Sequence, residues 1–165
     1  MKILLIVIVL LCLLPPLMLR TRRGQDAMAS LRPFRYAHRG FYDPGAGVPE
    51  NSLPAFSRAI AHGFGAELDV HLLRDGSLAV FHDSVLARMT GRGGVIEDFN
   101  AGELGSCFLG GTKETIPQLC DVLSLFEGTG LPLIVELKSY GKNYAALTAR
   151  TMAELDKFHV PCCVE

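Results

Sequence analysis

The sequence lacks an excess of either charge. Its 165 residues carry 16 Lys+Arg against 17 Asp+Glu, a net charge of −1, and no run of like charge forms an acidic or basic tail. A nucleic-acid partner, which needs a broad basic field, is not implied, so any anionic substrate must be recognised by a few local cations. Paired cysteine spacing is absent too. The five cysteines are Cys12, Cys107, Cys120, Cys162 and Cys163, an odd set with two adjacent members. That pattern suits neither a disulfide framework nor a zinc site, and it reads as ordinary thiols in a reducing compartment. No internal repeat is visible, and nothing implies a protein partner.

What is present begins with an apolar N-terminus. Ile3 to Leu19 is 17 residues without a charge, followed at once by Arg20, Arg22 and Arg23. The length is at the short end of what spans a bilayer, and the charge follows the apolar run rather than preceding it. An uncleaved single-pass anchor over residues 1–20 is expected, then a polar linker over 21–32 and a globular domain over 33–165. The arginines outnumber Lys2 plus the terminal amine, so the positive-inside bias keeps the domain that follows in the cytoplasm. A secretory signal cut near Ala27-Met28-Ala29 is the alternative.

Beyond the linker, strand and helix patterns alternate. Phe34 to Ala37 is a short apolar strand, and Tyr42 to Gly47 is a turn-rich loop. Ser52 or Asn51 caps a helix with Pro54 in its first turn, Leu53, Phe56 and Ile60 on one face, and a stop at Gly63. Phe64 to Leu72 and Ser77 to Phe81 flank Arg74-Asp75-Gly76, the pattern of a hairpin. From Leu86 to Thr115 the sequence is irregular and glycine-rich, which suits a surface excursion rather than core. A helix from Pro117 to Phe126, a strand at Leu131 to Leu137, a helix over Tyr144 to Phe158 and a strand beginning near Val160 complete an α/β order.

Seven ionisable residues lie at or near the ends of these runs: His38, Arg39, Glu67, Asp69, His82, Glu136 and Lys138. Side chains at i and i+2 of a strand share a face, so Glu67 points with Asp69, Glu136 with Lys138, and His82 with Leu78 and Val80. Burying carboxylates is costly unless they are paired or bind a cation, and two strands bearing Glu-x-Asp and Glu-x-Lys call for a hard divalent ion. An all-oxygen set suits Mg²⁺ or Ca²⁺ better than zinc. Two histidines, three carboxylates and two cations are the parts for metal-assisted cleavage of a phosphate ester. The bland alternative is solvated charge on exposed strand faces. His62, at a helix end, His71, two residues past Asp69, and His159, before the last strand, read as structural, with a substrate contact as the alternative for His71.

The runs A-H-R-G at Ala37 to Gly40, P-E-N-S at Pro49 to Ser52, E-L-D-V at Glu67 to Val70, F-H-D at Phe81 to Asp83, I-P-Q-L at Ile116 to Leu119 and V-E-L-K at Val135 to Lys138 together resemble the glycerophosphodiester phosphodiesterase family. Ser52 stands where threonine is usual, and Leu73 replaces a common threonine. The resemblance implies a TIM (β/α)8 barrel that uses one divalent cation, Mg²⁺ or Ca²⁺, to hydrolyse a small phosphodiester to glycerol 3-phosphate and an alcohol. It also implies Glu67, Asp69 and Glu136 as metal ligands, His38 and His82 as the acid/base pair, and Arg39 and Lys138 as phosphate-binding cations. Which histidine is acid stays open. A complete barrel needs about 250 residues, so a barrel truncated to about its N-terminal half is expected after the transmembrane helix. A lysophospholipase D-like membrane enzyme on the same fold, or a non-catalytic barrel module, are the competing readings.

The anchor reading has a direct test. The full chain is expected to stay in the membrane fraction through carbonate washing, whereas a product cleaved near Ser30 would be soluble and would show that N-terminus on sequencing.

Overall fold

The computed structural model describes residues 28–141 and 143–165. The expected anchor over Ile3 to Leu19 lies outside the described residues, as does Cys12, and among the described residues no helix is long and apolar enough to cross a membrane. The chain divides into two compact units, Met1–Pro33 and Phe34–Glu165. In the described part of the first, the amides of Leu31 and Arg32 close a turn on the Met28 carbonyl.

In the second unit, strand β1 (Tyr36–Ala37) leads through helix α1 (Leu53–Ala61) to β2 (Gly65–Leu72). A turn at Arg74-Asp75-Gly76, where Gly76 has φ +81°, returns the chain as β3 (Leu78–Val80). Two single-turn helices, α2 (Ala87–Thr90) and α3 (Ala101–Leu104), precede α4 (Leu119–Phe126), β4 (Leu133–Leu137), α5 (Tyr144–Leu155) and β5 (Cys162–Val164). The sheet order is β1-β2-β4-β5, with β3 also on β2. All pairs are parallel except the β2–β3 hairpin. Ala66 pairs with Ala37 and Leu133, and Val70 with Val80 and Leu137. It follows that β3 takes over, antiparallel, the edge of β2 that β1 leaves after two residues. A mainly parallel sheet with helical crossovers is the α/β pattern expected, and it fits part of a TIM barrel.

The two faces of the sheet differ in kind. Ala66, Leu68 and Val70 of β2 and Leu133 and Val135 of β4 pack on Phe56 and Ala59 of α1, Leu119, Val122, Leu123 and Phe126 of α4, and Leu147 and Leu155 of α5. The intervening residues Glu67, Asp69 and His71 turn to the other face, the alternation a strand imposes. Helix ends are chemically marked. Ser52 Oγ accepts from the Ala55 amide at the start of α1, and Gln118 and Asp121 form a capping box at the start of α4. Phe56 and Phe126 are fully buried, so truncating either to alanine costs about 3–5 kcal/mol.

The stretch from Leu86 to Thr115 corrects the expectation of a coreless excursion. Leu86, Ile96, Leu104, Cys107 and Leu109 are buried and close with Leu73, Ala79, Phe81 and Ile116 into a second, smaller apolar cluster. Its secondary structure comes in pieces of three or four residues, α2, α3 and 3₁₀ turns at Ile96–Asp98 and Leu109–Gly111, too short to produce a periodicity. The glycines supply the reversals, as at Gly91 with φ +70°. Elsewhere the elements run shorter than expected: β1 spans Tyr36–Ala37, β4 begins at Leu133, and α5 ends at Leu155.

The loop from Gly40 to Ser52 returns to its own origin, since the Asn51 amide donates to the Arg39 carbonyl at 2.9 Å. Gly40 has φ +78°, and a Cβ there would lie 2.8 Å from the Ala55 Cβ and 2.9 Å from its carbonyl carbon. Gly40→Ala must therefore both adopt a left-handed backbone and push α1 away. A loss of about 2–4 kcal/mol in urea unfolding is expected. Gly63→Ala shares the positive φ of +68° but has open space around the added carbon. Its cost should stay near 1 kcal/mol.

Candidate active site

Parallel pairing sets Asp69 beside Glu136 in register, and alternation along β2 puts Glu67 on the same face as Asp69. Ligand oxygens of Glu67, Asp69 and Glu136 all lie within 4.8 Å of one another. Asp69 is fully buried and Glu67 nearly so. Burial pushes the Glu67 carboxyl above its ordinary pKa; the charges of Asp69 and Glu136 add to the rise, and the Arg39 amide and His38 partly oppose it.

Cations and amides converge on these carboxylates. The Arg39 backbone N–H donates to Glu67 Oε2 at 2.9 Å, and Asn51 Nδ2 donates to Asp69 Oδ2 at 2.8 Å. Lys138 Nζ lies 3.0 Å from Asp69 Oδ1 and bonds Glu136 Oε1. Burial opposes the lysine's charge, but its bonds to Glu136 and Asp69 outweigh burial and hold its pKa above the ordinary value. Arg39 Nε stands 3.6 Å from Asp69 Oδ2. Both Arg39 (φ 55°) and Asn51 (φ 52°) occupy the left-handed region, a strained arrangement for non-glycine residues that concentrates at working sites.

The residues present fit a hard cation. Three carboxylates on one face, two of them buried, form an oxygen donor set. Asn51 Oδ1 beside them is buried and without a hydrogen-bond partner, an oxygen of the kind Mg²⁺ and Ca²⁺ accept.

The two candidate histidines sit differently. His38 follows β1 with its side chain 65% exposed and Nε2 3.9 Å from Glu67 Oε2. Strand β3 ends at Val80, so the expected shared face of Leu78, Val80 and His82 does not hold. Leu78 and Val80 are buried, whereas the His82 side chain is 32% exposed and its Nδ1 bonds Asp83 Oδ1 at 2.7 Å. The carboxylate can only accept, so the ring proton sits on Nδ1 and leaves Nε2 free.

Sequence reasoning missed four supporting residues. Glu50 accepts from Arg39 Nη1 at 3.1 Å, and Arg88 joins Glu50 to Asp83. Glu97 accepts from Asn143 Nδ2 at 2.7 Å and the Tyr140 amide at 3.2 Å. Asn51, considered only as a cap, serves the carboxylates instead. His71 is fully buried, with Nδ1 3.3 Å from Glu97 Oε1 and Nε2 3.4 Å from the His82 carbonyl. It is thus enclosed rather than presented to a substrate, and burial lowers its pKa. His62 ends α1 against Phe41 and the Arg58 carbonyl, and His159 is exposed near Glu127. Glu50 and Asn51 lay within a motif that could have flagged them; Arg88 and Glu97 lay in turns with no pattern.

Comparison with known proteins is consistent across three kinds of relative. A glycerophosphodiester phosphodiesterase of Bacillus altitudinis is 35% identical over 133 residues, covering 76% of this chain and 53% of the relative. A lysophospholipase D GDPD1 of Rattus norvegicus is 31% identical over 137 residues, covering 74% and 40%. Among solved structures, an Oleispira antarctica phosphodiesterase in complex with the product sn-glycerol-3-phosphate superposes with a TM-score of 0.71 at 28% identity, over 84% of this chain and 58% of that one. The chain therefore spans about half the length of the curated relatives it matches. Residues 38–158 match the model of the glycerophosphoryl diester phosphodiesterase family. That span runs from His38 past Lys138, covers most of the chain and contains all seven candidate residues, and on this evidence the chain belongs to the glycerophosphoryl diester phosphodiesterase family.

Proposed function

We propose that this chain hydrolyses glycerophosphodiesters to glycerol 3-phosphate and an alcohol, with a divalent cation, Mg²⁺ or Ca²⁺, held by Glu67, Asp69 and Glu136. The observation that carries the reading is the meeting of these three carboxylates within 4.8 Å on the face that also bears Lys138, Arg39 and His38. Family membership and the glycerol-3-phosphate complex of the Oleispira antarctica relative support it. When bound, the cation supplies Lewis-acid polarisation of a non-bridging phosphate oxygen. Arg39 and Lys138 hold the phosphate's remaining negative charge, which grows in the transition state. His38 and His82 divide the two proton transfers, one imidazole taking a proton from the attacking hydroxyl and the other giving one to the departing alkoxide. His82 exchanges its proton at Nε2, because Asp83 occupies Nδ1. Asn51 and the Arg39 amide fix the carboxylates by hydrogen bonds to Asp69 and Glu67.

A second substrate reading follows from the similarity to the rat lysophospholipase D. Parallel assays on glycerophosphocholine and lysophosphatidylcholine separate the two: a preference of at least about tenfold in kcat/KM for the lysolipid, equivalent to about 1.4 kcal/mol, would favour it.

The carboxylate cluster yields a stability prediction. Glu67 has a raised pKa when folded, so the folded state binds more proton than the unfolded state between the two pKa values, and Glu67 costs stability as pH rises through that window. In EDTA at neutral pH, Glu67→Gln is expected to melt no lower than the parent chain. Added Mg²⁺ or Ca²⁺ should raise the melting temperature of the parent and not of the variant. Glu67→Ala, Asp69→Ala and Glu136→Ala should each abolish divalent-dependent hydrolysis, and full activity of any of them in excess EDTA would reject the site.

Proton transfer is tested by a double-mutant cycle. His38→Ala and His82→Ala should each lower kcat by at least about 10²-fold, with the double variant little worse than the worse single one. His159→Ala, exposed beside Glu127, should retain most activity.

A further inference from the structure

Arg88 lies outside the six runs quoted above, yet it bonds a residue in each of two of them, Asp83 and Glu50. It projects from α2, a single helical turn, and both ends of its guanidinium are engaged. Nε donates to Asp83 Oδ2, and Nη2 donates to Asp83 Oδ1 at 3.1 Å. Nη2 also donates to Glu50 Oε1 at 2.6 Å, with Nη1 3.4 Å from Glu50 Oε2. Beyond each carboxylate lies a working group: Asp83 bonds His82 Nδ1 at 2.7 Å, and Glu50 Oε1 accepts from Arg39 Nη1 at 3.1 Å. The result is one continuous line, His82–Asp83–Arg88–Glu50–Arg39, in which carboxylates and guanidinium groups alternate.

We propose that Arg88 is a positioning residue that sets His82 and Arg39, the proton-transfer and phosphate-binding groups of the reading above on which this inference rests, in a single geometry. Three observations support it. First, the guanidinium is planar with donors at fixed angles, so a fork engaging two carboxylates fixes their mutual orientation, which a lysine ammonium on a flexible stem cannot do. Second, the carboxylates respond to it: hydrogen bonding to Arg88 is the main influence holding Asp83 below its ordinary pKa, and at Glu50 the bonds to Arg88 and Arg39 outweigh burial. Asp83 is thereby kept an anion, able only to accept from His82 and so to fix which ring nitrogen is free. Third, the stabilising value of the bridge is small. The Arg88 side chain is 48% exposed, and ion pairs that open to water contribute little to folding. A structural residue would show its loss in stability, whereas a positioning residue shows it in turnover, because a misplacement of about 1 Å at a reacting group costs about 10² in rate.

The surroundings leave room for the test. A cavity of about 190 Å³ lined by Tyr42, Pro49, Glu50, Arg88, Met89 and Thr112 lies beside the bridge, so shortening Arg88 removes the fork without displacing packed core. The full chain and its Arg88→Ala and Arg88→Lys variants are compared by thermal melting, by kcat and KM on glycerophosphocholine with Mg²⁺, and by the imidazole Nδ1–H signal of His82 in a ¹⁵N-labelled sample, assigned by its loss in His82→Gln. Arg88→Ala is expected to melt within about 3 °C of the parent, to lose about 10²-fold in kcat through His82, to raise KM several-fold through Arg39, and to lose the slowly exchanging Nδ1–H signal. Arg88→Lys, which keeps the charge and not the fork, should recover less than a tenth of the lost kcat. Arg150→Ala, whose Nε bonds only the Gly76 carbonyl at 3.1 Å among described partners, should leave all three measurements unchanged. Unchanged kinetics with a retained Nδ1–H signal in Arg88→Ala, or full recovery by lysine, overturns the proposal. If Arg88→Ala does not fold, the lysine variant decides by the same criteria. If the parent hydrolyses nothing, the functional reading fails, and the Nδ1–H signal alone decides whether Arg88 positions His82.

Discussion

Three carboxylates with oxygens inside 4.8 Å of one another repel, and two of them, Glu67 and Asp69, are almost closed off from water. At that separation in a partly shielded environment, each like-charge contact opposes folding by a few kcal/mol, so every neighbouring donor has a job set by this repulsion. Lys138 crosses from Asp69 to Glu136, the Arg39 amide faces Glu67, and Asn51 faces Asp69. The left-handed backbone at Arg39 and Asn51 follows from the same requirement, since the peptide must turn its N–H towards Glu67 and the amide its side chain towards Asp69. Strain of this kind persists only where the surroundings impose it.

Around that cluster, the groups proposed for proton transfer are fixed through partners of their own. His71, two residues beyond Asp69 on the same strand, contacts the carbonyl of His82 and the carboxylate of Glu97. Glu97 in turn holds the Tyr140 amide and Asn143 just after Lys138. The segment carrying His82 and the segment following Lys138 are therefore tied to the strand that bears Glu67 and Asp69. The small second cluster supports this arrangement from behind: Phe81 and Leu86 are buried in it on either side of His82 and Asp83, which anchors both ends of the short segment that presents them.

Local alternation was legible in the amino-acid order. Glu67 with Asp69 and Glu136 with Lys138 could be assigned to common faces because a strand repeats every two residues. The register that sets Asp69 beside Glu136 could not, since the spacing within each strand does not say how far one slides along the other. Asp83 was visible as the neighbour of His82, but its link to Glu50 runs through Arg88, which sits in a turn of four residues with no periodicity. The buried cluster of Leu86, Ile96, Leu104 and Leu109 escaped for the same reason: short turns separated by glycines bury their apolar residues one at a time. The end of β3 at Val80 also overrode the alternation that would have carried His82 into the core.

The strict two-residue alternation of β2 has a consequence for how such a chain can change length. Ala66, Leu68 and Val70 face the helices while Glu67, Asp69 and His71 face the carboxylate cluster, so inserting or deleting one residue upstream within the strand would exchange the two sets. Charges would enter the apolar layer and aliphatic side chains would replace the clustered carboxylates in a single event. A substitution along β2 alters one side chain, but a one-residue indel inverts the whole strand. Length variation can therefore accumulate only in the connections, such as the exposed turn at Pro44–Ala46, where an extra residue shifts no strand, and the spacing between Glu67 and Val70 is in this sense frozen by geometry before any chemistry selects it.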